Sequence, residues 1–226
     1  MSMREIHDLI EKAAAHARKS PEERRPIEWE KRVAIWENWL QQNDYDDAGQ
    51  PDRTALLCRY FAKRRAGHPD AAKGLLLMGN TGVGKTRTMN LMRLADGGLN
   101  APILVTAQEI VQLWEWQPEE ARRQYGISSR ELIIDDLGEE TQARHFGKDE
   151  NALGQMLIMR ERMFLQSGVR THITTNLSVS QLKERYGERV FSRLKGMCHW
   201  LTLTGPDRRL PLKADQEMGK AAEESR

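Results

Sequence analysis

GLLLMGNTGVGKTRTMNLMRL, residues 74–94, joins three kinds of sequence end to end. Gly74, Leu75, Leu76, Leu77 and Met78 form a short apolar run that reads as a buried strand. Arg87 to Leu94 contains neither Pro nor Gly and reads as helix. Between them Gly79, Asn80, Thr81, Gly82, Val83, Gly84, Lys85 and Thr86 fit the pattern G-x-x-x-x-G-K-T. Glycine lets the backbone curl until its amides face one point, and the helix start adds unpaired donors and a positive dipole end. Lys85 is then expected to reach the β- and γ-phosphates, with the Thr86 hydroxyl on Mg²⁺. A strand before and a helix after are the context this pattern requires, so the stretch predicts a nucleoside-triphosphate site.

Two further strand ends carry chemistry. Glu131-Leu132-Ile133-Ile134-Asp135-Asp136-Leu137-Gly138-Glu139-Glu140 brings an apolar run up to an acidic pair. Open α/β sheets place their ligands at such carboxyl ends. Asp135 is the expected partner of Thr86 in the Mg²⁺ shell. Asp136 is the expected water-positioning carboxylate, and Glu139 or Glu140 lies close enough in sequence to take that task instead. Thr171-His172-Ile173-Thr174-Thr175-Asn176 is a β-branched run ending in small polar groups that could touch a γ-phosphate or its attacking water.

Apolar runs at 101–106 and 198–204 bring the strands to five, and helical patterns separate them. Helices are expected from Asp52 to about Ala66, with Leu56, Leu57, Tyr60 and Phe61 inward, and through Ile110, Val111, Leu113 and Trp114. A polar helix over 119–125 follows, then an exposed loop from Thr141 to Lys148. A helix over 149–166 turns Leu153, Met156, Leu157 and Phe164 inward, with Arg160 and Arg162 on other faces and Gly168 at its end. Ser178 caps the next helix, and from Gly187 a short amphipathic one exposes Arg189 and Arg193. This alternation predicts a three-layer α/β sandwich around a mostly parallel five-stranded sheet.

The N-terminal region reads as helical. Ile6, Leu9, Ile10, Ala13 and Ala17 recur at helical spacing, and Trp29, Val33, Trp36 and Leu40 share a second stripe, flanked by Ile35 and Trp39. Those tryptophans serve either as packing against the rest of the molecule or as a docking face. Residues 43–51 end in Gly and Pro and read as a linker. The expected organisation is a helical partner-binding region over 1–48, a nucleotide-binding core over 49–213 and a polar tail over 214–226.

Composition sets outer bounds. The 226 residues are 39% hydrophobic and 30% charged, with a net charge of +2, as expected of one soluble domain with a small appendage. No apolar run is long enough for a membrane span, residues 1–20 lack the apolar core of a signal peptide, and two cysteines cannot by themselves form a structural zinc site. A reducing cytoplasm is the expected setting. Contact with DNA would fall to scattered basic groups such as Arg87, Arg93, Arg122, Arg123, Lys183, Arg185 and Lys195. Residues 1–48 hold eight Arg and Lys against eleven Asp and Glu, which suits a protein partner better than a phosphate backbone.

The G-x-x-x-x-G-K-T stretch, Ile133-Ile134-Asp135-Asp136-Leu137-Gly138, Ile173-Thr174-Thr175-Asn176-Leu177 and Tyr186-Gly187-Glu188-Arg189-Val190-Phe191-Ser192-Arg193-Leu194 together resemble AAA+ ATPases of the bacterial helicase-loader type. That group is DnaC-like and includes the IstB-like ATP-binding helpers of transposases. The resemblance spans about Asp52 to Leu212. It implies an AAA+ core without a separate lid domain, ATP and Mg²⁺ as ligands, and hydrolysis to ADP and phosphate at subunit interfaces of a homo-oligomer. It assigns Asn176 as the γ-phosphate sensor, Arg193 as the finger inserted into a neighbouring copy's site, and Arg208 or Arg209 as the arginine that reads nucleotide in cis. It also implies loading of a replicative DNA helicase onto single-stranded DNA, with the monomer a weak ATPase. The alternatives are a DNA-binding helper of a transposase and a weakly hydrolysing ATP-gated adaptor. Asp135-Asp136 departs from the commoner Asp-Glu strand end and keeps the adaptor open.

Overall fold

The computed structural model describes residues 29–43, 51–96, 101–141, 143–145 and 148–208. The expected helix over 1–20, most of the 43–51 linker, Gly97 and Gly98, Arg209 and the 214–226 tail lie outside the described residues.

Five strands form one sheet: β1 (Gly74–Met78), β2 (Ile103–Thr106), β3 (Leu132–Leu137), β6 (Thr171–Thr175) and β7 (Cys198–Thr202). Their order is β2-β3-β6-β1-β7, and every neighbouring pair is parallel. Side chains alternate across the sheet, and each face collects its own helices. Leu75, Leu77 and Ile133 face α2 (Pro51–Arg65) and α3 (Lys85–Asp96) through Phe61, Met89 and Met92. Leu76, Leu132, Ile134 and Ile173 face α4 (Ala107–Trp116), α6 (Ala152–Ser167) and α7 (Val179–Met197) through Ile110, Trp114, Leu157 and Leu194. A parallel sheet buried on both faces is the three-layer α/β sandwich that the strand–helix alternation predicts.

Helix starts follow local chemistry. Thr106 and Glu109 form a reciprocal capping box at α4, and Ser178 with Gln181 does the same at α7. Gly168, at φ 67°, closes α6 in the left-handed conformation. Gly187, at φ 79° and ψ 162°, breaks α7 into two helical segments, the division expected at that glycine.

Several expectations need correction. Where a loop is expected from Thr141 to Lys148, β4 (Ala143–His145) pairs antiparallel with β5 (Lys148–Glu150), with His145 opposite Lys148. Backbone bonding makes that pairing, and the two strands carry no apolar period to reveal it. The helix expected from 149 begins at Ala152, capped by Asn151, whose side chain accepts from the Gly154 N–H at 2.7 Å. The polar helix over 119–125 is a single turn, α5 (Pro118–Ala121), running into a π-helical turn over Arg122–Gly126. Leu56 points outward at 52% exposure, while Cys58 and Ala62 join Leu57, Tyr60 and Phe61 inside.

Arg160 reverses its expected placement. It is fully buried, donating to Thr171 Oγ1 at 2.8 Å and to the carbonyls of Tyr125, Ser128, Arg130 and Arg170. Five N–H groups in a rigid fork suit a site where loop carbonyls converge under a helix. Burial pulls this guanidinium down to about 10.

Near the amino ends of β3 and β6, Glu131 accepts from Arg64 and from Arg170, the latter at 2.6 Å. The buried His172 receives the Leu75 N–H on Nδ1 at 3.1 Å, so its proton sits on Nε2, 3.4 Å from Glu131. Burial pushes Glu131 up, but the His172 hydrogen bond and the Arg64 guanidinium more than offset this and hold its carboxyl well below the usual range.

The tryptophan-bearing helix α1 (Trp29–Gln42) lies against α2. Trp36 packs on Phe61 with ring centroids 4.9 Å apart, and Leu40 joins Cys58 and Leu91 in a small core. Packing therefore accounts for Trp36. Ile35, two-thirds exposed, stands outside that core.

Candidate nucleotide-binding site

The carboxyl ends of β1, β3 and β6 meet where the strand order reverses around the first strand, the place where open α/β sheets bind ligands. After β1, Gly79, Gly82 and Gly84 take φ values of 146°, 79° and 98°. Side chains rarely adopt such angles, and a Cβ on Gly82 would lie 1.7 Å from Asp207 Oδ1. The expected curled backbone is present, leading directly into the first turn of α3.

Lys85 is only 5% exposed, and its ammonium donates to the carbonyls of Gly79 and Asn80, both at 2.8 Å, and to Asn176 Oδ1 at 2.6 Å. Thr86 Oγ1 donates to Asp135 Oδ1 at 3.1 Å. The second oxygen contact of Asp135 is Thr174, whose hydroxyl donates to Oδ1 at 2.5 Å and accepts from the Asp136 N–H at 2.9 Å. Residues 91 positions apart in sequence thus share one point.

The donor set fits a magnesium-bound triphosphate. An ammonium and helix-start amides suit phosphate oxygens, and one hydroxyl beside one carboxylate suits a hard cation that keeps water and phosphate ligands. Among the described residues no group of three or more His, Cys, Asp or Glu side chains is placed to hold a metal alone. A cation held by Thr86 and Asp135 would take its remaining ligands from water or from a bound phosphate.

The acidic stretch after β3 divides into different tasks. β3 slips register between Ile134 and Leu137, and Asp136 sits at φ 54°, a positive value rare for residues other than glycine. Backbone held in this region collects at functional sites. Glu139 Oε1 accepts from Asn176 Nδ2 at 3.1 Å and borders the site. Glu140 does not: it is buried and accepts from the Gly138 N–H, Tyr186 and Arg185. That removes Glu140 from the candidates for positioning water. Thr174 and Thr175 are both buried: Thr174 donates to Asp135 and Thr175 to the Leu137 carbonyl, while Asn176 meets Lys85.

Beyond β7 the chain folds back over the glycine-rich turn. The Leu203 N–H donates to the Met78 carbonyl at 2.7 Å, and the Arg208 N–H to the Gly82 carbonyl at 3.2 Å. The Arg208 guanidinium lies 3.4 Å from the Cβ position of Gly84. Of the two arginines that the resemblance offers for reading nucleotide in cis, Arg208 is described and sits at this turn. Beside the site, Gly79, Asn80, Asn176, Ser178, Gln181 and Lys183 border an open cavity of about 730 Å³.

Arg193 stands apart from this cluster. It is not the freely exposed residue expected, because its guanidinium pairs with Glu161 of α6, with a quarter of the side chain exposed. Arg189, one turn earlier, is exposed. The basic residues considered for DNA contact each meet their own chain. Arg87 and Arg93 donate to the carbonyls of Asn43 and Pro102, and Arg122 and Arg123 pair with Glu119 and Glu120. Lys183 and Arg185 pair with Glu188 and Glu140, and Lys195 lies over the Phe191 ring.

Solved structures share this architecture. DnaI aligns at 25% identity over 75% of this chain and 89% of its own, with a TM-score of 0.53. The DnaC helicase loader aligns at 20% identity over 75% and 99%, with a TM-score of 0.54. AMPPCP-bound DnaA from Aquifex aeolicus aligns at 14% identity over 72% of this chain and 49% of that one, with a TM-score of 0.52. No protein-family model and no curated protein matches the chain. Among the described residues no helix is long and apolar enough to cross a membrane.

Proposed function

We propose that this chain is an ATPase that loads a replicative helicase onto single-stranded DNA. One observation carries the nucleotide part: Lys85 meets Asn176 where Thr86 meets Asp135, at the carboxyl edge of a parallel sheet. ATP with Mg²⁺ supplies the phosphoanhydride and the charge to be neutralised. Lys85 and the glycine-turn amides hold the phosphates, Thr86 and Asp135 hold the cation shell, and Asp136 positions water. Asn176 reads the γ-phosphate end and Arg208 lies over the turn. Catalysis of this kind is positioning plus electrostatics.

Arg193 is the group supplied to a neighbouring copy. In the single chain Glu161 occupies it, so hydrolysis needs an assembly in which the phosphate replaces that partner. The same pairing favours a second reading, a weakly hydrolysing adaptor gated by ATP.

The helicase assignment draws on the fold shared with DnaC and on the acidic balance of residues 1–48. Ile35 on α1 is the exposed apolar residue beside the packed tryptophans and the expected anchor. The test is twofold. Full-length Lys85→Ala should lose binding of a fluorescent ATP analogue, and unchanged affinity would sink the nucleotide site. Full-length Ile35→Asp should lose co-purification with the replicative helicase of its host. Capture of a transposase in its place moves the assignment to the transposase helper, and hydrolysis that stays at background in every assembly moves it to the adaptor.

A further inference from the structure

The loop after β3 touches two distant parts of the molecule at once. On one side Glu139 accepts from Asn176, which itself accepts from Lys85. On the other, Glu140 is 7% exposed and binds α7. Its Oε1 accepts from the Tyr186 hydroxyl at 2.6 Å and from Arg185 Nε and Nη2 at 3.2 and 3.1 Å. Its Oε2 accepts from the Gly138 N–H at 2.7 Å, and Arg185 also donates to its carbonyl oxygen. Burial and the neighbouring carboxylate push the Tyr186 phenol far above its ordinary value, so it stays a donor at any working pH.

Arg185 and Tyr186 are the last residues before Gly187, whose φ of 79° and ψ of 162° turn the second half of α7. That second half buries Val190, Phe191 and Leu194 and carries Arg193. A Cβ at Gly187 would meet nothing within 4 Å, so the glycine itself faces open space. Just before it Arg185 and Tyr186 bind the buried Glu140, while the exposed Lys183 and Glu188 pair across the corner.

We propose that Glu140 is a positioning residue for Arg193. It fixes the corner at Gly187 to the carboxyl end of β3, and so sets where the second half of α7 presents its arginine to the next copy. The inference rests on the reading of Arg193 as a group supplied in trans. A carboxylate with four donors can define an angle between two elements more sharply than apolar contact, because each bond constrains direction as well as distance.

The test uses mixed assemblies of full-length chains. Arg193→Ala subunits keep a nucleotide site but offer no arginine, and Lys85→Ala subunits offer the arginine but bind no nucleotide. Mixing them should raise hydrolysis above both parents. Glu140→Gln added to the Lys85→Ala subunit should cut that gain by about tenfold or more, the scale on which small misplacements act. The same change in the Arg193→Ala subunit should leave the gain within about twofold, as expected for a site it does not touch. Tyr186→Phe deletes one hydroxyl with little risk to folding and should show the same asymmetry at smaller size. Equal losses from either side, or no loss from the arginine-donating side, overturn the proposal. Failure of the unmodified pair to gain activity instead overturns the reading of Arg193 itself.

Discussion

Arg160 and Arg193 belong to the same charged class in sequence and meet opposite fates. Arg160 disappears beneath the π-helical turn, donating to four carbonyls, while Arg193 rests on Glu161 near the surface. Replacing Arg160 by Leu takes its donors from all four, the Arg170 carbonyl keeping the Leu132 N–H, and should cost roughly 3–5 kcal/mol in a urea melt. Lysine should not rescue it, since one ammonium cannot match the guanidinium fork. A loss under about 1 kcal/mol would show that water replaces the arginine there. Neither fate is legible from spacing, because both residues sit in helices of mixed polarity. Asp136 differs again: its place after Asp135 is plain in sequence, but its positive φ follows from the slip in register of β3 against β6.

At the level of elements, α7 shows how one residue sets a direction. Gly187 occupies a region of φ and ψ that essentially only glycine enters, and the space around it is open. Gly187→Ala therefore adds no clash and strains only the backbone. It should lower stability by about 1–3 kcal/mol in thermal melts. It should also lower hydrolysis in assemblies when carried by the subunit that donates Arg193, and activity unchanged from wild type would mean the corner does not matter to the arginine. The break at Gly187 and the caps at Ser178 and Gly168 could be read from residue type, since each answers a local backbone need. The β4–β5 pairing could not, because Ala143-Arg144-His145 and Lys148-Asp149-Glu150 carry no apolar alternation.

Across the whole molecule, acid acts on the buried cluster at the amino ends of β3 and β6. Burial holds His172 below its ordinary value of 6.5, with Glu131 partly opposing, so the folded chain refuses a proton that the unfolded chain takes. Stability present above about pH 6.5 is thus lost as pH falls below it, by at most about 1.4 kcal/mol per pH unit for one proton. Glu131, held low in the fold against an ordinary value of 4.5, extends the loss below that pH. The melting temperature should fall between about pH 7.5 and pH 5.5, and His172→Gln should start lower but flatten that slope. An equally steep slope in the variant would assign the acid sensitivity elsewhere.

The five strands, their partnering helices and the residues that meet at Lys85 were legible in the chain as written. Apolar period, glycine spacing and caps are local constraints, and a glycine-rich turn between strand and helix has few other uses. Which of Glu139 and Glu140 meets Asn176, and which is bound to Tyr186, was not legible. Adjacent carboxylates carry the same chemistry until long-range contacts give them different neighbours. The basic residues considered for DNA divide in the same way. Arg122, Arg123, Lys183 and Lys195 meet partners within five residues along the chain, whereas only the fold brings Arg87, Arg93 and Arg185 to theirs.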